Sequence, residues 1–262
     1  MKENDLIFVP FTSKMNSLEK ILYDELMKEV KEYSRITIEW LKTEDGQEFL
    51  SRGKNYRAKR KSIISILKAH HIKRANIMKT LRLNHSIGRS YAHRSIGKMA
   101  EDLDNDDWEC LRQIYNGVSD IMDSFEETLI AEIMFLLNEL WEEIVDLAYA
   151  LNKLPYNHYT TNITPKVRAE MIARTEMQRS FNGGVLQTYA KYGIELIEIV
   201  NYTDVGLCET CKELIRGSPY SIVEVSHLLP VHPNCKCFAV AYVLPDKELV
   251  KVDDPIIIDM FS

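Results

Sequence analysis

Five potential ligand residues packed into thirty positions restrict this chain more than any other feature. Cys208, Cys211, His232, Cys235 and Cys237 account for four of its five cysteines and one of its seven histidines. Cys208-Glu-Thr-Cys211 sets two thiols on one tight turn, and His232-Pro-Asn-Cys235 sets an imidazole and a thiol at the same i, i+3 spacing further on. Two such turns facing each other aim their lone pairs at one point, the tetrahedral sulfur and nitrogen coordination that zinc favours. A structural zinc ion is therefore the expected cofactor, held by zinc-ribbon-like Cys/His turns. Four donors complete such a site and five are present. Cys208, Cys211, His232 and Cys235 repeat the two-donor turn, with Cys237 in reserve. If Cys237 replaces His232, the site becomes four thiolates with the histidine beside it. The competing readings are buried reduced thiols and disulfides. Disulfides rank last, because Met1-Lys2-Glu3-Asn4-Asp5 opens no apolar signal segment and a reducing cytoplasm is expected. No stretch approaches the roughly 18 apolar residues of a membrane span, so no membrane partner is expected.

Charge is segregated along the chain. Residues 51–100 hold fourteen Lys or Arg and no Asp or Glu, whereas residues 101–150 hold fifteen Asp or Glu and one basic residue, Arg112. The overall charge of −6 hides this. Arg57, Lys59, Arg60, Lys61, Lys73 and Arg74 are the candidate nucleic-acid contacts, since a solvated positive surface attracts phosphates and binds double-stranded DNA in a salt-sensitive way. The alternative is intramolecular: the basic segment lies antiparallel to the acidic one and the two neutralise each other.

The hydrophobic pattern is mainly helical. Asn16-Ser17-Leu18-Glu19 reads as a capped helix start, followed at helical spacing by Ile21, Leu22, Leu26, Met27, Val30 and Tyr33 as far as about Lys42. Asp45-Gly46 reads as a break, and Gly88 and Gly97 as weak points in a second helical stretch over 54–100. Asp104-Asn105-Asp106-Asp107 caps a further helix of some forty residues, whose apolar face carries Ile114, Ile121, Phe125, Leu129, Ile133, Leu136, Leu140, Ile144 and Leu147. Trp108 and Trp141 read as core aromatics. Pro155–Thr164 has no period and reads as a domain boundary. Thr164-Pro165 then caps a helix that stops near Gly193, with Asn182-Gly183-Gly184 implying a bend or a close backbone approach. Ile194–Tyr202 and Phe238–Leu244 have strand composition. The expected organisation is an elongated helical domain over 1–155, a small α+β domain over 165–244 that carries the Cys/His site, and a flexible acidic and apolar tail over 245–262. The fold class is mainly α with a small α+β C-terminal domain.

Ala173-Arg174-Thr175-Glu176, Asn182-Gly183, Asp204 four residues before Cys208-x-x-Cys211, Gly217, and His232-Pro233-Asn234-Cys235-Lys236-Cys237 occur in that order. In order and spacing this set resembles the C-terminal domain of phage Mu F-like minor head proteins, the phage head-morphogenesis family, over about residues 165–243. Lys236 departs from the arginine usual there and lacks its planar bidentate fork. The resemblance implies a structural protein inside the phage capsid. It would be associated with the portal protein, meet capsid or scaffold proteins, and aid head assembly and DNA passage. Its location would be the virion interior, and the host cytoplasm during assembly. Arg174, Glu176 and Asp204 are carried over as structural motif residues. A zinc-containing DNA-binding protein tied to no virion is the alternative.

An enzyme is not expected. The His-x-Glu proton shuttle of zinc deaminases is missing, since Pro233 and Asn234 follow His232, and no Walker-type phosphate loop is present.

Overall fold

A computed structural model describes residues 3–52, 57–140, 144–201 and 207–243, with side chains described from residue 11 onward except those of residues 57, 58 and 144. The expected tail, Trp141 and Asp204 lie outside these residues. The chain is mainly helical with a small antiparallel sheet near its C-terminus. In order it forms α1 (Glu3–Leu41), α2 (Glu44–Arg52), α3 (Arg57–His70), α4 (Arg74–Ser95), α5 (Asn105–Glu139), α6 (Ile144–Lys153) and α7 (Pro165–Lys191). There follow β1 (Leu196–Asn201), α8 (Glu209–Gly217), β2 (Tyr220–Ser221), α9 (Ile222–Leu228) and β3 (Cys237–Ala241).

Capping chemistry sets several ends. Asp104 Oδ1 accepts the Asp106 and Asp107 amides at the start of α5, and Thr164 Oγ1 accepts the Val167 amide at the start of α7. At the end of α7, Gly193 takes φ 61°. Its amide bonds Ala190 O while the Ile194 amide reaches back to Tyr189 O, the paired bonds of a left-handed helix stop. Gly97 ends α4 in the same way, with φ 69° and Lys98 N–H bonding His93 O.

Three expectations are corrected. Helix α1 starts well before Asn16, which lies inside the helix and not at its cap. The break after α1 falls at Lys42–Thr43, where Thr43 Oγ1 accepts the Gly46 amide. Gly46 itself lies in α2, where a Cβ would meet Trp40 O at 2.3 Å. Trp108 is 42% exposed, with the Arg82 guanidinium 4.6 Å over its ring, so it is a surface aromatic.

Two compact units arise, each from separated stretches of chain: residues 1–22, 76–118 and 171–262, and residues 23–75 and 119–170. The sequence reading placed one boundary at 155–165. Periodicity identifies helices but not which distant segments share a core.

In the first unit Phe11 and Met15 of α1, Tyr91 of α4 and Phe181 of α7 share one core with Ile197, Ile199 and Phe238 of the sheet. The sheet order is β2-β1-β3, all antiparallel, with Asn201 opposite Cys237. Helices α4 and α7 meet backbone to backbone: a Cβ on Gly88 would lie 2.1 Å from Phe181 O, and one on Gly184 2.1 Å from His85 O. Close approach is thus the reason for Gly184, and Gly88 does not divide its helix. Beside this contact Lys191 bonds Asp104 and Asp107, each at 2.7 Å, and Arg89 lies 3.0 Å from Asp107.

The second unit buries Leu26, Val30 and Tyr33 of α1, Phe49 of α2, Ile63 and Leu67 of α3, and Phe125, Leu129 and Ile133 of α5. Its aperiodic loop is ordered by one buried carboxylate. Glu132 accepts the amides of Tyr159, Thr160 and Thr161 at 2.6, 2.9 and 3.1 Å.

Candidate metal centre

The two ligand turns are built differently. Cys208 is the residue that caps α8: its Sγ accepts the Cys211 amide at 3.4 Å, so the first thiol satisfies a helix-end donor. Cys211 lies one turn in and is buried. The second segment is the irregular chain that leads into β3. Asn234 adopts φ 66° and turns the backbone between His232 and Cys235. Cys237 opens β3, and its amide donates to Cys235 Sγ at 3.4 Å. The sequence reading put both turns at strand ends; this holds for Cys237, whereas Cys208 opens a helix.

All five donors gather around Cys211. The ligand atoms of Cys208, Cys211 and His232 lie within 4.8 Å of one another, and so do those of Cys211, Cys235 and Cys237. His232 Nε2 is 3.1 Å from Cys208 Sγ and 3.2 Å from Cys211 Sγ. His232 Nδ1 sits 2.7 Å from Pro233 O, and a carbonyl can only accept, so Nδ1 carries the proton and Nε2 turns its lone pair toward the thiols. This cluster can hold a metal ion. It brings together all five residues expected from the spacing and does not single out four of them.

The thiols are polarised against one another. The Cys211 amide holds the Cys208 thiol below its ordinary value, and the Cys237 thiol draws Cys235 down to about 5. Burial pushes Cys211 up to about 12, and Cys237 is raised chiefly by its hydrogen bond to Cys235. The contact with Pro233 O raises His232. A cation at the centre would favour the thiolate form of every sulfur it touched.

One face of α7 grips the second segment, which the sequence reading missed in its detail. Thr175 Oγ1 accepts the Asn234 amide at 3.0 Å, and Arg174 Nη1 donates to Asn234 Oδ1 at 3.3 Å. Gln178 Nε2 and Asn182 Nδ2 both donate to Cys237 O, at 2.9 and 3.1 Å, while Asn182 Oδ1 accepts the Ala239 amide at 3.2 Å. The Asn182 side chain thus serves as a short stretch of neighbouring strand along the free edge of β3. Arg174, Gln178 and Asn182 recur every four residues, and a polar stripe at that spacing on a buried helix is the signal that could have revealed the grip. Of the other motif residues, Arg174 also pairs with Glu19 at 3.0 Å, and the buried Glu176 pairs with Arg179 at 3.1 Å. Arg174 and Glu176 do not pair with each other, as their i, i+2 spacing dictates.

The candidate nucleic-acid contacts lie in the second unit. Lys59 pairs with Asp45 at 2.5 Å and Glu48 at 3.1 Å. Arg74 pairs with Asp123, and His71 lies 3.3 Å from Glu126, so the basic and acidic segments meet there in antiparallel order. Arg60 is half-buried, Lys61 and Lys73 are exposed, and the Arg57 side chain lies outside the described residues.

Among the described residues no helix is long and apolar enough to cross a membrane. No protein-family model matches the chain, and neither a curated protein nor a solved structure matches it.

Proposed function

We propose that this chain is a non-enzymatic structural protein of the phage minor head kind, bound at the portal inside the capsid, with one structural zinc ion stabilising its C-terminal part. The observation that carries the reading is convergence. Arg174, Thr175, Asn182, Cys208, Cys211, His232, Asn234, Cys235 and Cys237, nine of the residues that carry the resemblance, are linked by the contacts around one cluster. Motif residues scattered for unrelated reasons would have no cause to meet.

The donor set fits zinc. With zinc–sulfur near 2.3 Å and zinc–nitrogen near 2.0–2.1 Å, tetrahedral donors stand about 3.6 Å apart. The nitrogen–sulfur separations of 3.1 and 3.2 Å require only a small outward shift to admit the ion. Four protein donors drawn from these five complete a tetrahedral zinc site and leave no position for substrate water, which supports a stabilising role over a catalytic one. Pairing of Lys59, Arg74 and His71 with carboxylates of their own unit supports the intramolecular role of the basic segment over DNA binding.

Co-expression of the chain with portal and capsid proteins, followed by purification on the portal and zinc quantification, tests the reading. Portal association with about one zinc per chain is expected. Failure to associate, together with salt-sensitive binding of the isolated chain to duplex DNA, would replace it with a DNA-binding protein tied to no virion.

A further inference from the structure

We infer that the two ligand turns have unequal parts: residues 232–237 form a half-site that α7 holds with or without metal, and the ion serves to recruit the Cys208–Cys211 turn, and with it the start of α8, onto that half-site. This rests on the reading of the cluster as a metal centre.

The anchors of the second segment lie outside the donor atoms. Its backbone is tied at Asn234 N, Cys237 O and Ala239 N to Thr175, Gln178 and Asn182. Residues 237–241 are paired along β1 as well, and Asn201 Nδ2 of β1 donates to Cys237 Sγ at 3.6 Å. Cys235 and Cys237 are no more than 1% exposed. The bonds at Asn234 N, Cys237 O and Ala239 N and the pairing with β1 engage no candidate ligand atom, so they hold the segment before any ion arrives.

The first turn is anchored in another way. Cys208 is exposed. The polar contacts of Cys208 and Cys211 run within their own helix or to other donors of the cluster, above all His232 Nε2. Lys212 pairs with Glu209, also on α8. The far end of α8 has its own tie, since Ser218 Oγ accepts the Ile199 amide at 2.9 Å. Among the described residues, the polar ties of α8 to the rest of its unit therefore run through the ligand atoms at its beginning and through Ser218 at its end. Thr175, Gln178 and Asn182 are positioning residues: they act on the ion through the backbone that carries His232, Cys235 and Cys237.

Amide hydrogen exchange on the full chain, zinc-loaded and chelator-treated, tests this segment by segment. Zinc removal should raise exchange at residues 208–213 by about tenfold or more and leave residues 234–241 within about twofold, as expected of a local opening. Thr175→Val strands the Asn234 amide and should weaken zinc binding by about tenfold or more, with Thr175→Ser restoring it. Asn182→Ala should raise exchange at residues 237–239 even with zinc bound. Equal loss of protection in both segments on zinc removal, or no change in either, overturns the inference alone. A chain that binds no zinc when purified in reducing buffer overturns the metal reading and this inference with it.

Discussion

Helices α5 and α7 are both deeply buried, but in different proportions of polar and apolar side chains. Helix α5 turns inward Leu111, Ile114, Val118, Met122, Phe125, Leu129, Ile133 and Leu136, an apolar stripe, and of its polar side chains buries Asp107, Glu126 and Glu132. Helix α7 buries Glu176, Gln178, Ser180, Asn182, Gln187, Thr188 and Lys191 alongside its apolar residues. A buried polar group destabilises unless a partner is provided, so α7 constrains its neighbours far more tightly than α5 does. The contrast separates two roles for a core helix. One holds the fold together mainly through exchangeable apolar packing, and the other also holds a site in place through specific bonds.

Breaking that contrast begins with the largest effect, at the backbone contact of α7 with α4. Gly184→Val should abolish folding of the first unit, because its Cβ would stand 2.1 Å from His85 O, a backbone atom that no side-chain motion can relieve. On α5, Ile133→Val removes one methylene from an apolar site and should cost about 0.5–1.5 kcal/mol by chemical denaturation. If both variants fold with similar stability, the distinction between the two helices fails.

Next in size is an effect of pH. His85 of α4 is fully buried beside this contact, with both ring nitrogens unpartnered, and burial holds its pKa down at about 3. The unfolded chain takes up a proton near pH 6.5 that the folded chain refuses until about pH 3. Unfolding therefore binds a proton in that window, and stability falls as the pH drops through it, by up to about 5 kcal/mol. Denaturation midpoints measured from pH 7 to 4 should show this decline, and His85→Gln should flatten it.

A smaller effect is expected from Lys191→Met, which leaves Asp107 with Arg89 as its remaining buried cation and should cost about 3–5 kcal/mol. The smallest is at the solvent side of α5. Trp108→Ala removes an exposed ring under Arg82 and should cost no more than about 1 kcal/mol. A large loss there would mean that the solvent face of α5 also holds its place through specific contacts.

The same contrast explains what could be read from the sequence. The apolar face of α5 follows from Ile114, Phe125, Leu129, Ile133 and Leu136 at helical spacing, and its start from the carboxylate of Asp104. Thr164-Pro165 and Gly193 mark the ends of α7 by local bonding alone. The five candidate donors were legible because coordination chemistry demands particular residue types at short spacing. What local pattern does not carry is pairing between distant segments. Asn16 looks like a helix start until Phe11 and Met15 are found buried with Tyr91 and Phe238. Gly88 looks like a weak point until Phe181 O is found against it. The discontinuous units, and the grip of Thr175, Gln178 and Asn182 on residues 234–239, depend on packing that no single stretch of sequence reveals.

The central claim is that donors from both ligand turns meet to hold one metal ion, and native mass spectrometry of the purified full chain tests it most directly. The wild-type chain and its Cys208, Cys211, His232, Cys235 and Cys237 alanine variants would be compared in reducing, zinc-containing buffer. The account predicts one zinc per wild-type chain, lost on substitution of Cys211, which belongs to both donor groups. A wild-type chain carrying no metal, or one whose zinc survives the Cys211 substitution unchanged, would contradict it.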